Sequence, residues 1–262
     1  MKLNAGCKLV FESENPVPTI LMLRPRSAVG QFVLSESYHF EPHILPIEYT
    51  DSYGNLCQRI VLPIGKTTIK FEICVETTDE PEIDFSADFV PIEQIPDEII
   101  RFLLPSRYCQ SDLLGYLANQ IIDENATAYA QVEAIRTWIS KNHRFEYGTS
   151  NSSSTAFDIL EKKVGVCRDF AHLGIALCRS INIPARIVVG YLHQLKPMDL
   201  HAWFEAYIGN KWYTFDASQA NPMGNRIAVA YGLDAADVAI ATHFGYSFME
   251  EMEVWVNEGR RQ

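Results

Sequence analysis

Six cysteines are spread through the 262 residues: Cys7, Cys57, Cys74, Cys109, Cys167 and Cys178. One has a setting in which a thiol can act as a nucleophile. Cys167 follows Gly165 in KKVGVCRDFAHLGIALCRSI, where apolar Phe170, Leu173, Leu177 and Ile181 recur at steps of three and four. That period predicts a helix with one buried face, opening at or near Cys167. The unpaired N–H groups and the dipole at a helix start favour an anion, either a thiolate or the oxyanion that forms when a carbonyl is attacked. Position alone does not assign the role, because most cysteines are small buried hydrophobes.

A base and its orienting acid are found downstream. The stretch DLHAWFEAYIGNKWYTFDAS reads as a hairpin turning at Gly209-Asn210. If Ile208 faces Lys211, Trp203 faces Asp216, and His201 lies on the same face, diagonal to Asp216. The other face, Ala202, Phe204, Ala206 and Ile208 against Tyr213, Phe215 and Ala217, is wholly apolar and makes a core. Packing therefore brings His201 and Asp216 together without presupposing catalysis. An imidazole oriented by a carboxylate can take a proton from a thiol, so Cys167, His201 and Asp216 are read as a Cys-His-Asp triad. Tyr147 in RFEYG and Trp203 beside His201 are candidate substrate contacts, with a core or rim aromatic the plainer reading of Tyr147. His172, five residues after Cys167, points away from it on a helix. Cys178, three turns on, is read as packing.

The elements that must hold these residues divide in two. Residues 1–80 show short β-rich runs at 9–11, 19–23, 32–40, 44–49, 56–62 and 68–77, with a turn cluster Asp51-Ser52-Tyr53-Gly54-Asn55 between two of them. This pattern predicts a small β-sandwich. Residues 81–95 lie in a stretch (71–100) with ten acids, three prolines and no Lys or Arg, and are read as a solvated connector. From residue 96 the period becomes helical, with a short helix expected to open at Pro96-Asp97-Glu98 and others near 111–125, 128–142, 155–162 and 167–181. After Pro184 it returns to β in ARIVVGYL, HAWFEAYI, KWYTFDA and MEVWVNE. Residues 96–262 are thus expected to form one α+β unit.

Composition sets limits. Hydrophobic residues are 47% and charged residues 21%, which excludes a disordered or fibrous chain. The net charge is −11 with no basic patch, which argues against nucleic-acid binding. No apolar run reaches the length of a membrane span, and the N-terminal residues lack a secretory pattern. A cytoplasmic protein with reduced cysteines is expected. HExxH, CxxC and EF-hand patterns are missing, so no metal or cofactor is implied.

Four blocks in order resemble the transglutaminase-like superfamily, in particular its microbial members with an N-terminal β region. They are Gly165-Val166-Cys167-Arg168-Asp169-Phe170-Ala171, then Ile183-Pro184-Ala185-Arg186 leading to Gly190-Tyr191-Leu192, then His201-Ala202-Trp203-Phe204-Glu205, then Phe215-Asp216-Ala217-Ser218. The resemblance implies a papain-like α+β core, with Cys167 as nucleophile, His201 as base and Asp216 as orienter. It also implies attack on a peptide or isopeptide amide through a thioester. Hydrolysis is the expected outcome; amine transfer to glutamine, or a non-catalytic binding role on the same fold, are the alternatives. One departure is Leu233, where many relatives carry Arg near Asp234.

Overall fold

The computed structural model describes residues 1–221 and 224–259. Six strands open the chain: β1 (Lys2–Ser13), β2 (Val17–Arg24), β3 (Gln31–Glu41), β4 (Ile47–Thr50), β5 (Leu56–Leu62) and β6 (Gly65–Thr77). The period-two rule is plainest in β6. Thr67, Ile69, Phe71, Ile73, Val75 and Thr77 are buried, while the residues between them face outward. The β4–β5 turn forms because the Asp51 carboxylate accepts from the Tyr53 and Asn55 N–H groups, both at 2.8 Å, while Gly54 takes a φ of +81°.

The helical segment holds α1 (Asp97–Ile100), α2 (Gly115–Ile121), α3 (Ala128–Asn142), α4 (Ala156–Lys162) and α5 (Cys167–Ser180). Two short parallel strands, β7 (Arg144–Phe145) and β8 (Val164–Gly165), flank α4. The expected helix over 111–125 is shorter than read: a 3-10 turn at Ser111–Leu113 precedes α2. α3 and α4 start at Thr127 and Thr155, each accepting a backbone N–H with its hydroxyl. A second sheet region follows with β9 (Ala185–Leu192), β10 (His201–Ile208), β11 (Lys211–Phe215) and β12 (Arg226–Gly232), then β13 (Ala241–His243) and β14 (Phe248–Glu258).

The strands form three antiparallel four-stranded sheets, in the orders β14-β1-β6-β3, β13-β2-β5-β4 and β11-β10-β9-β12. The first two share one apolar core that contains Leu9, Phe11, Leu21, Leu62 and Phe71. The third packs its inner face, including Phe204 and Phe215, against α5. The whole is α+β. Strands from the 96–262 stretch also join the sheets of residues 1–80. β13 pairs with β2 and β14 with β1, so both ends of the chain build the β unit. Without β14 the twelve-residue β1 would present a bare edge, and Val254 and Val256 would leave the core. The acidic connector also differs from a free linker. Its backbone carbonyls at Phe85, Ala87 and Asp88 accept from Thr127, Tyr129 and Gly209, which ties residues 81–95 along the helical unit.

The two units meet on β12, an edge strand of its sheet. Edge N–H and C=O groups need partners when buried. The Gln31 side chain accepts from the Ala228 N–H at 2.8 Å and donates to its C=O at 2.9 Å. Asn55 does the same for Tyr231, at 2.9 and 2.8 Å. Thr77 donates to the Arg226 carbonyl at 2.8 Å. Two amide side chains thus substitute for a neighbouring strand.

Candidate active site

The register predicted for the hairpin is observed: Ile208 faces Lys211 and Phe204 faces Phe215. His201 falls at the start of β10 and Asp216 just beyond β11, both buried. His201 Nε2 donates to Asp216 Oδ2 at 2.7 Å. Cys167 is the first residue of α5, half-buried, and lines the same cleft as His201. The three expected triad residues therefore converge.

The start of α5 is fixed by its own first turn. Asp169 is fully buried, and its Oδ2 accepts from the Val166 N–H at 2.9 Å. Its Oδ1 accepts from Ser150 and Arg168, and Arg168 also reaches the Asn151 carbonyl, so the polar loop after β7 is drawn onto the helix start. The expected amphipathic stripe is an underestimate, because α5 is buried on every side from Asp169 to Arg179. Its polar members are accommodated individually. His172 accepts from the Ala235 N–H at 3.1 Å and stacks on Tyr108. Burial pushes its pKa down to about 3, so it is neutral. Arg179 donates to the carbonyls of Leu104, Ala185 and Leu233. Leu233 thus serves through its backbone, and Asp234 is satisfied by the N–H groups of Tyr108 and Ala236.

Asp216 is held by more than the imidazole. Its Oδ1 accepts from the Ser218 N–H at 3.0 Å and from the Ser218 hydroxyl at 2.6 Å, and its Oδ2 from Arg226 Nη2 at 2.9 Å. Burial would raise its pKa, but Arg226, His201 and Ser218 together hold the carboxyl well below the usual carboxylate range. Burial would likewise lower the His201 pKa. The Asp216 carboxylate and then Cys167 outweigh it and push the pKa up to about 9. The favoured charge state is an imidazolium beside an ionised Asp216.

Arg226 shows no sign of this contact in the sequence. It opens β12, RIAVAYG. Almost every residue of that strand is buried and its pairing shifts register between Ala228 and Ala230, so no alternation is visible. Trp203 is only 2% exposed. It packs with Val188, Ala228 and Tyr231, lies 6.2 Å from the His201 ring centroid, and carries the Arg226 guanidinium over its face at 5.0 Å. It backs the triad and does not line the cleft over Cys167. Tyr147 does.

That cleft has a volume of about 240 Å³. Phe145 and Tyr147 form one wall, edge to face at 5.1 Å, held beside Cys167 because Phe145 pairs with Gly165 across β7 and β8. Leu195, Lys196 and Leu200 form the other wall, and Ser218 and Gln219 close the end near His201. The remaining cysteines stand apart. Cys7 and Cys109 are buried, and burial pushes their pKa values up to about 11 and about 12. Cys178 is raised for the same reason. These thiols stay protonated. Among the described residues no His/Cys/Asp/Glu cluster could hold a metal, and no helix is long and apolar enough to cross a membrane.

Comparison with known proteins places this arrangement. The family model of the transglutaminase-like superfamily matches residues 115–217. A solved structure of a candidate cysteine protease from Cytophaga hutchinsonii is 36% identical, with a TM-score of 0.91, covering 100% of this chain and 92% of that one. The uncharacterized protein ML0607 of Mycobacterium leprae is 28% identical over 229 residues, 83% of this chain and 82% of its own length. The uncharacterized protein YebA of Bacillus subtilis is 23% identical over 219 residues, but this chain spans only 28% of it. The α+β fold is that of a papain-like core joined to a β region, and the chain belongs to the transglutaminase-like superfamily.

Proposed function

We propose that the protein is a thiol enzyme that attacks peptide or isopeptide amides, with Cys167 as nucleophile, His201 as acid and base, and Asp216 as orienter. One observation carries the reading. Cys167, at a helix start, lines one cleft with His201, whose imidazole is bonded to a buried Asp216. Nε2 is committed to Asp216, so Nδ1 is the ring nitrogen that exchanges a proton with sulfur.

In the first step Sγ attacks the amide carbonyl. The thiol proton passes to His201 as base, and the carbonyl oxygen becomes an oxyanion. The N–H groups of Cys167 and Arg168, at the very start of α5, precede the first intrahelical acceptor bond and favour negative charge there. The C–N bond then breaks, and the imidazolium proton goes to the departing amine. A thioester remains on Cys167. Water attacks it with His201 as base, releasing the carboxylic acid and restoring the thiol. The aromatic and aliphatic cleft walls suit an extended segment with an apolar side chain.

The test is a peptide-library cleavage screen run in parallel with incorporation of a labelled primary amine, comparing wild type with Cys167→Ala. Cleavage by wild type alone supports the reading. Amine incorporation outpacing cleavage replaces hydrolysis with transfer. Activity retained by Cys167→Ala rejects the mechanism.

A further inference from the structure

A second cavity, of about 190 Å³, lies where the β unit, the segment after α1 and the catalytic sheet meet. It is distinct from the cleft over Cys167. Arg186, in its lining, lies four residues along β9 from Gly190, the residue opposite His201, a separation of about 13 Å along the strand.

Three guanidinium groups line it: Arg26 from the loop after β2, Arg101 from the turn after α1, and Arg186 from β9. Aromatic rings hold each of them. Arg26 lies 5.3 Å from the Tyr231 ring centroid, Arg186 lies 4.3 Å from Tyr231 and 4.1 Å from Trp212, and Arg101 lies 5.3 Å from Tyr53. Gly54 leaves room for Arg26, since a Cβ there would come within 2.3 Å of Nη1. The groups are therefore positioned before anything binds.

Their charge is not balanced. Arg186 pairs with Glu205 at 2.6 Å. Among the described residues no carboxylate forms an ion pair with Arg26 or Arg101, and Arg26 Nε is buried without a hydrogen-bond partner. Glu98 is the acid in the lining, and it is exposed. The nearby Asp237 accepts from the Leu233 N–H at 2.9 Å. In a chain of net charge −11, Arg26 and Arg101 bring two charges without an ion-pair partner to one cavity and repel each other, and the buried Arg26 Nε forfeits hydration. An oxyanion relieves both costs, and its geometry matches the guanidinium fork.

We propose that this pocket binds a phosphate-type dianion, either inorganic phosphate or the phosphoryl group of a small molecule, and so ties the β unit to the catalytic sheet. The experiment is calorimetric titration of the full chain with inorganic phosphate, glycerol phosphate and acetate at constant ionic strength, with melting temperature as a second readout. The expected result is saturable binding of a phosphate species that raises the melting temperature, weakened about tenfold in Arg101→Gln and in Arg26→Gln and strengthened in Glu98→Gln. Tighter binding of glycerol phosphate than of phosphate would identify a phosphomonoester as the ligand. Arg101 is exposed, so its variant tests binding without loss of the fold. No saturable heat with either phosphate species, equal binding of acetate, or unchanged affinity in both arginine variants would overturn the proposal.

Discussion

Asp216 accepts four hydrogen bonds, from His201, Arg226 and the N–H and hydroxyl of Ser218, and this crowding sets the charge state of the triad. His201, with a pKa near 9, is an imidazolium at neutral pH and can protonate a leaving amine. Activity should therefore fall as pH rises through about 9. Asp216→Asn removes the attraction that opposes burial, so its alkaline limb should move down by about one pH unit or more. Arg226→Gln removes a neighbouring cation instead. It should lower kcat about tenfold through a misplaced Asp216 while leaving the alkaline limb where it is or higher. A pH–rate profile of the three proteins checks this, and a parallel fall of the limb in both variants would contradict it. The same shift affects stability. The folded pKa lies above the ordinary 6.5, so the contribution of His201 is complete below that value and lost as pH rises toward 9. The pairing of His201 with Asp216 was legible in the sequence because the hairpin alternates and turns clearly, and the helix start at Cys167 because the period of α5 is plain. Arg226 was not, because its partner is reached only through the sheet.

Packing of α5 on β10 determines how close sulfur comes to imidazole. Gly174 of α5 faces Phe204 of β10, and a Cβ at Gly174 would lie 2.5 Å from that ring. Gly174→Ala should destabilise the protein by about 1–3 kcal/mol and reduce activity more than it reduces binding, because the helix must shift. Urea denaturation together with steady-state kinetics measures both effects. The hairpin at Gly209-Asn210 could be read to the residue, since alternation and turn chemistry agree. The burial of α5 on all faces could not. A stripe of Phe170, Leu173 and Leu177 looks amphipathic, and only the fold provides the partners that let Asp169, His172 and Arg179 be buried as well.

At the scale of the molecule, both ends of the chain build the β unit, and that unit completes the edge of the catalytic sheet. Strand pairing between residues 1–13 and 248–258 is non-local and leaves no mark on either segment alone, so the sequence does not show it. Gln31 illustrates the coupling. Gln31→Ala would orphan a buried N–H and C=O on Ala228, with an expected cost of about 2 kcal/mol or more. Because Arg226 opens the same strand, activity should fall before global unfolding is seen, and a denaturation series followed by activity and by circular dichroism would separate the two. Whether Cys167 is a nucleophile activated by His201 is decided by labelling with an amide-mimicking thiol probe followed by peptide mapping. One modified residue is expected in wild type, Cys167, with little or no label in Cys167→Ala or His201→Ala. Equal labelling of wild type and His201→Ala, or label spread over the other cysteines, would contradict it.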